Sequence, residues 1–397
     1  MIGKTKYFTE AEDLLIQKFL KLKSEAGSHS PSIFTFKQKL PELNIKIDAC
    51  FLSNPYATDL FLHYFTKEII NTGRIRELLE FYPSQNQVIA EIIANFLKIM
   101  PDTVFIGNGA IEIIQAVIHN FAKKKIVINI PTFSSYYEFV KDGVEVVYNT
   151  LDKNNQYRLN TSKYIDFIKK NKPDTIVIIN PNNPDGGYIE HNEIKKILDN
   201  VTEVENVIID ESFIHFAYED KSFNPINTSD FLADYPNLII IKSMSKDFGI
   251  AGIRAGYAVM APHKISTLLK NGFLWNSNGL SEYFFRLYAR TDFANDYNKV
   301  RVKYIQETIE FINELKNIKG IAVFPSMANF VLLELKNGLK ADDFVTALLV
   351  KYGIYVRTCS DKIGLEGEYV RLASRTKEEN TYIIQSLQDF FNSYYQS

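Results

Sequence analysis

Cysteine is almost missing from this 397-residue sequence, and the two present, Cys50 and Cys359, have neither CxxC nor zinc-ligand spacing. A disulfide framework and a cysteine metal cluster are therefore not expected, and a reducing compartment fits better. A surplus of one charge is also missing: 45 basic and 47 acidic residues leave a formal charge of -2, with no long run of either sign. Such a balance offers no patch for nucleic acid or an anionic membrane. No stretch approaches the roughly 20 apolar residues of a membrane span. The opening MIGKTKYFTEAEDLLIQKFLKLKSEAG reads as a polar amphipathic helix without the apolar core of a signal peptide, so a cytoplasmic protein is expected. Repeats and low-complexity tracts are absent too.

What the sequence does hold is enough apolar material for a large core, 46% hydrophobic and 13% aromatic. Short runs rich in Val, Ile and Phe recur as TVFIG, KIVINI, TIVIIN, NVIID, NLIIIK and AGYAVM, separated by segments long enough for crossover helices. Runs of this kind suit strands buried on both faces of a mostly parallel sheet. They predict an α/β domain over residues 53–286. After it come a long charged helix, the strand candidates IAVFP, NFVLLEL and YVRLAS, and a final helix. These predict a smaller α+β domain from residues 287–397, completed by residues 1–52.

Several of the apolar runs end at something polar. TVFIGNGAIEIIQAVIHNFA passes through Gly107, Asn108 and Gly109 into an apolar helix starting near Ala110, so free backbone N–H groups would face outward from a helix N-terminus. Such a terminus receives phosphate, although an ordinary glycine turn reads alike. NPNNPDGG holds Asn183 rigidly between Pro181 and Pro184. In VIIDESF, Asp210 follows an apolar strand; an acid there is a cap or loop residue unless a buried cation needs a partner. SMSKDFGIAGIR places Lys246 behind Ser243 and Ser245, with Arg254 eight residues on. A lysine in a loop is commonly just solvated, but among small residues it can also be an amine that condenses with an aldehyde, with Arg254 and the serines on a phosphate. The ligand that satisfies all of these carries an aldehyde and a phosphate.

Taken in order, Gly-Asn-Gly, Asn-Pro-Asn-Asn-Pro, Asp-Glu and Ser-x-Ser-Lys with Arg at plus eight resemble the class I/II aminotransferases of the fold-type I pyridoxal-phosphate superfamily, from about residue 50 onward. The resemblance implies pyridoxal 5'-phosphate as cofactor and no metal. It implies Lys246 as the lysine that takes the cofactor aldehyde, Asp210 as partner of the ring nitrogen and Asn183 as donor to the ring hydroxyl. Phe133 in PTFSSYY matches the aromatic that stacks on the ring, and Gly109, Ala110, Ser243, Ser245 and Arg254 match the phosphate site. Tyr82 in FYPSQN matches a tyrosine that reaches the cofactor phosphate of a neighbouring subunit, which implies a homodimer with shared sites. Arg371 in YVRLASR matches the arginine for the substrate carboxylate.

One departure bears on the reaction. The aminotransferase pattern has a tyrosine three residues after the ring-nitrogen aspartate, and here the position is Phe213. DESFIHF, FLWNSNGLSE, PSMANFVLLEL and VRTCSDKIGLEGEYVRLASRT are similar to the threonine-phosphate decarboxylase branch, close to the histidinol-phosphate aminotransferases. That similarity implies decarboxylation of an O-phospho-L-amino acid, phosphoserine or phosphothreonine; the N-terminal extension departs from the short start of the phosphothreonine enzymes, so phosphoserine is ranked slightly above. The alternative is an aminotransferase on a phosphorylated substrate such as histidinol phosphate. Two anionic groups on the substrate call for cations, and the candidates are Arg357, Arg371 and His29 in GSHSPS.

Overall fold

The computed structural model describes residues 8–25, 30–226, 228–274 and 276–396. The chain groups into two compact units, residues 53–305 and residues 1–52 with 306–397. The first of these runs past residue 286 because the early part of the helix Thr291–Leu315 packs inward, with Phe293 and Tyr297 against Phe248 at ring-centroid distances of 6.2 and 4.1 Å.

The described strands, in chain order, are β1 (Ile47–Asp48), β2 (Val104–Asn108), β3 (Lys125–Ile130), β4 (Glu145–Thr150), β5 (Thr175–Ile179), β6 (Asn206–Asp210), β7 (Leu238–Ser243), β8 (Ala255–Met260), β9 (Ile321–Val323), β10 (Phe330–Leu335), β11 (Ile354–Tyr355), β12 (Arg357–Thr358) and β13 (Tyr369–Ala373).

In the unit of residues 53–305, seven strands form one sheet in the order β2-β8-β7-β6-β5-β3-β4. Only β8 runs against its neighbours; β3 to β7 pair in parallel. The alternation of side chains divides the apolar runs between two clusters. Ile176, Ile178, Val207, Ile209 and Ile240 enter one cluster, and Val177, Ile179, Ile208, Ile239 and Ile241 enter the other. Each such side chain contributes about 1.5–3 kcal/mol by leaving water, so a polar residue inside these strands would be costly on either face. Helices supply the covering layers. Ala110–Phe121 buries Ile113, Ile114, Val117, Ile118 and Phe121, and His191–Asn200 buries Ile194, Ile197 and Leu198, both at helical spacing.

The unit of residues 1–52 and 306–397 has an antiparallel sheet, β12-β13-β10-β9, and a short parallel pair of β1 with β11. Its core takes Phe344 and Leu348 from the helix Ala341–Tyr352 and Ile383 and Leu387 from the helix Lys377–Gln396. The helix Glu10–Glu25 brings Phe19 and Leu22 into a cluster with Phe36 and Leu349. Among the described residues, no helix is long and apolar enough to cross a membrane, and no group of His, Cys, Asp and Glu could hold a metal ion.

Candidate active site

Six strands of the large sheet share a direction, so their C-terminal ends lie along one edge. Strand order reverses between β3 and β5, since the chain leaves β3 for β4 on one side and returns to β5 on the other. A crevice at such a reversal is where α/β sheets bind ligands. The polar ends singled out in the sequence fall on this edge: Gly109 after β2, Phe133 after β3, Asn183 after β5, Asp210 at the end of β6, Ser243 at the end of β7, and Ser245 and Lys246 after it. Because β8 runs the other way, Arg254, just before it, arrives at the same edge beside β2, where Asn108 pairs with Ala255.

The register makes a tight cradle. Gly109 has φ +78° and caps the helix Ala110–Phe121, and a Cβ on it would lie 2.7 Å from Arg254 Nη2. A Cβ on Gly256 would lie 2.8 Å from the Ala110 nitrogen. Glycine at both places lets the guanidinium and the helix N-terminus approach one point, a combination suited to phosphate. Ser243 and Ser245 are buried close by in sequence, with Ser245 N donating to Ser243 Oγ at 3.3 Å.

Asp210 is 3% exposed. Its Oδ2 accepts from Tyr136 Oη at 2.8 Å and its Oδ1 from Ser212 N at 2.8 Å. Burial pushes its pKa up from the usual carboxylate range, against the hydrogen bonds from Ser212 and Tyr136. A carboxylate so aimed and so desolvated calls for a cation, and a protonated ring nitrogen is one. Tyr136 is fully buried, and its own pKa is raised by burial and by Asp210, so its hydroxyl stays a donor.

The loops after β3 and β5 are tied together. Asn182 Nδ2 donates to Pro131 O at 2.9 Å and its Oδ1 accepts from Thr132 Oγ1 at 2.8 Å. This fixes the half-buried Phe133 relative to the buried Asn183. Phe213 is buried just beyond β6.

Lys246 is half-buried, and its backbone oxygen accepts from Asn54 N at 2.9 Å. The next residue, Asp247, has a fully buried carboxylate that pairs with Lys242 Nζ and lies 3.0 Å from His215 Nδ1. Lys242 also donates to the backbone oxygen of Glu211 at 3.1 Å, adjacent to Asp210. Burial would raise the Asp247 pKa, but Lys242 and then His215 outweigh it and hold the carboxyl below its usual range. Burial and the Lys242 charge push His215 down to about 4, so its imidazole is neutral at neutral pH. Neither Tyr136 nor this lysine–aspartate–histidine group was among the residues expected from the sequence. Tyr136 stands three residues after Phe133 and Asp247 directly after Lys246, but Asp210 is 74 positions from Tyr136, and His215 comes to Asp247 from the turn after β6.

In the other unit, Arg357 Nη2 donates to Asp361 Oδ2 at 2.7 Å and Arg371 Nη2 to Cys50 O at 2.8 Å. Tyr82 is 96% exposed. His29 lies outside the described residues.

Pyridoxal phosphate fits these residues. The glycine cradle with Arg254 suits its phosphate, Asp210 its ring nitrogen and Lys246 its aldehyde.

The Aminotransferase class I and II family matches residues 53–387. The chain is 60% identical over 380 residues to an L-serine phosphate decarboxylase of Campylobacter jejuni, covering 96% of this chain and 97% of that one. It is 50% identical over 369 residues to an L-serine phosphate decarboxylase of Sulfurospirillum multivorans, covering 93% and 94%. The solved structure of a decarboxylase from Sulfurospirillum multivorans matches it with a TM-score of 0.91 at 48% identity over 96% of each chain. The family match takes in the whole of the sheet that carries the polar edge, and with it most of the second unit: the chain belongs to the aminotransferase class I and II family.

Proposed function

We propose that the protein decarboxylates L-serine phosphate, releasing carbon dioxide and ethanolamine phosphate, with pyridoxal 5'-phosphate as cofactor. The observation that carries this reading is the identity of 60% and 50%, over nearly the full length, to two L-serine phosphate decarboxylases. Bound cofactor supplies an electron sink for the bond broken at the substrate's α-carbon. Asp210 keeps the proton on the ring nitrogen, Phe133 covers a ring face and Asn183 donates to the ring hydroxyl. Gly109, Ala110, Ser243, Ser245 and Arg254 hold the cofactor phosphate. Arg371 takes the substrate carboxylate, with Arg357 as a further cation for the substrate. When the carbon–carboxylate bond breaks, a proton must reach the α-carbon, and Lys246 Nζ is the donor. The active form is a homodimer: Leu79, Phe81 and Tyr82 are 77%, 65% and 96% exposed, and a second copy would cover them. The two free, buried cysteines suit a cytoplasmic enzyme.

The test is an incubation of cofactor-loaded protein with phosphoserine and, separately, phosphothreonine, each with and without 2-oxoglutarate. Carbon dioxide and ethanolamine phosphate from phosphoserine without any keto acid are expected. Glutamate formed only with 2-oxoglutarate would make the protein an aminotransferase, and faster release from phosphothreonine would move the substrate.

Phe213 bears on the choice between these reactions. Phe213→Tyr adds a hydroxyl at a buried position. The expected result is about a tenfold slower carbon dioxide release, in the range of a misplaced donor in a site, with a rise in keto-acid side product. Unchanged rate and products would mean that this residue does not select the reaction.

A further inference from the structure

A buried ion pair joins the two residues assigned to opposite ends of the cofactor ring. Asp210 closes β6 and Lys246 follows β7, and the last rungs between these strands are the pairing of Asp210 with Ile241 and the bond from Glu211 N to Ile241 O at 2.8 Å. Past that point the ladder of β6 with β7 stops, and Lys242 continues the connection with its side chain. Its Nζ donates back to Glu211 O at 3.1 Å and forward to Asp247 Oδ2, on the residue after Lys246. The turn that carries Asp210 is thereby tied to the loop that carries Lys246. The start of the helix Pro55–Phe65 adds a second hold, since Asn54 N donates to Lys246 O at 2.9 Å and Thr58 Oγ1 to Gly249 O at 2.8 Å.

Stability does not account for this pair. Both side chains are out of water, and a buried ion pair gains little over apolar residues of the same volume, because each ion gives up its hydration. The carboxylate is not fully satisfied either. Its Oδ2 meets Lys242 and, at 3.0 Å, His215 Nδ1, whereas Oδ1 is buried with no hydrogen-bond partner among the described residues. His215, whose Nδ1 also lies 3.1 Å from Tyr297 Oη, is neutral and supplies no charge. Burial raises the Asp210 pKa, and the charge of Lys242 acts against it, so the lysine supports the ionised form of the carboxylate meant for the ring nitrogen. A placement role explains what stability does not. The ring nitrogen and the aldehyde of pyridoxal phosphate stand at opposite ends of a rigid ring, so carboxylate and amine must keep a fixed separation, and a misplacement of about 1 Å costs about 100-fold in rate.

We propose that Lys242 and Asp247 are positioning residues, a bridge that sets Lys246 against Asp210 and acts through these two rather than on the substrate. This rests on the assignment of Asp210 and Lys246 to the cofactor. It makes the pair necessary for rate and for the seating of the ring, and dispensable for substrate affinity.

The experiment compares the parent holoenzyme with the double variant Lys242→Met, Asp247→Asn, which removes both charges and strands no buried ion. Steady-state kinetics with phosphoserine would be run beside circular dichroism of the visible cofactor band, which reports how the ring is seated. In the double variant kcat should fall about 10- to 100-fold with KM within about threefold. The dichroism should weaken at equal bound cofactor. Lys264→Met is the control: that lysine is also buried, but it donates to Glu205 O at 3.1 Å, at the opposite end of β6 from Asp210. It should lower Tm and leave kcat and the band as in the parent. Lys242→Gln with Asp247→Asn gives the same comparison should the methionine version fold poorly. A folded double variant with kcat within about threefold of the parent, or with unchanged dichroism, would overturn the proposal, as would an equal loss of kcat in Lys264→Met. The dichroism needs no turnover. A parent that shows the band but releases no carbon dioxide would therefore sink the reading of the reaction, while the dichroism still decides the bridge.

Discussion

Lys246→Ala is expected to remove the visible absorbance band of the cofactor-loaded protein and to slow carbon dioxide release by about a thousandfold or more, the scale on which losing a covalent catalytic group is felt. The large effect follows from the lack of a substitute amine nearby in sequence. Lys242, on the same strand end, has a side chain 3% exposed and spends its donors on Asp247 and on the Glu211 backbone oxygen. It cannot swing out without leaving Asp247 buried against an uncharged space. Absorbance scans of the variant after addition of pyridoxal phosphate and gel filtration provide the check. A band that survives in the alanine variant would remove Lys246 from its assigned role.

Asp247→Asn is expected to cost about 3–5 kcal/mol of stability, because removing one partner of a buried ion pair leaves the other uncompensated. For a unit of this size that is a fall in Tm on the order of 10 °C. Asparagine preserves the shape of the site but not the charge facing Lys242, and the neutral His215 offers none in its place. The double variant Lys242→Met with Asp247→Asn removes both charges and should melt closer to the parent. Thermal melts without cofactor measure this free of any effect on binding. A fall of less than about 3 °C, or a double variant no better than the single one, would show that the pair does little for the fold.

The strands of the large sheet were legible because their burial on both faces leaves uninterrupted Val and Ile runs, as in β5 and β6. The edge strand β4 was not, since its pattern EVVYNT is part exposed and resembles a loop. Nor does any local signal mark β8 as antiparallel: AGYAVM is as apolar as its parallel neighbours, and its direction follows from the short return after β7. The polar residues at strand ends stood out because chemistry concentrates where apolar runs stop. The partners that orient them did not. Tyr136 reaches Asp210 across 74 positions and Lys242 reaches Glu211 across 31, and such pairings are made by the sheet order, which composition does not encode. The pairing of Arg357 with Asp361 is local in sequence, whereas the register that sets Arg371 opposite Arg357 is not.

The smaller unit is assembled from both ends of the chain, and that arrangement has a consequence during synthesis. Every strand of the large sheet has been made by residue 260, and that unit is complete at residue 305. Phe19, Leu22, Phe36 and Leu40, in contrast, pack with Leu349 and Tyr355. At about 5–20 residues per second, the ribosome takes roughly 2.5–10 s to pass from residue 305 to Tyr355. Over that interval the nascent N-terminal segment displays apolar side chains whose late partners do not yet exist, which makes it the natural place for a chaperone to bind and the part of the molecule most exposed to aggregation when translation stalls.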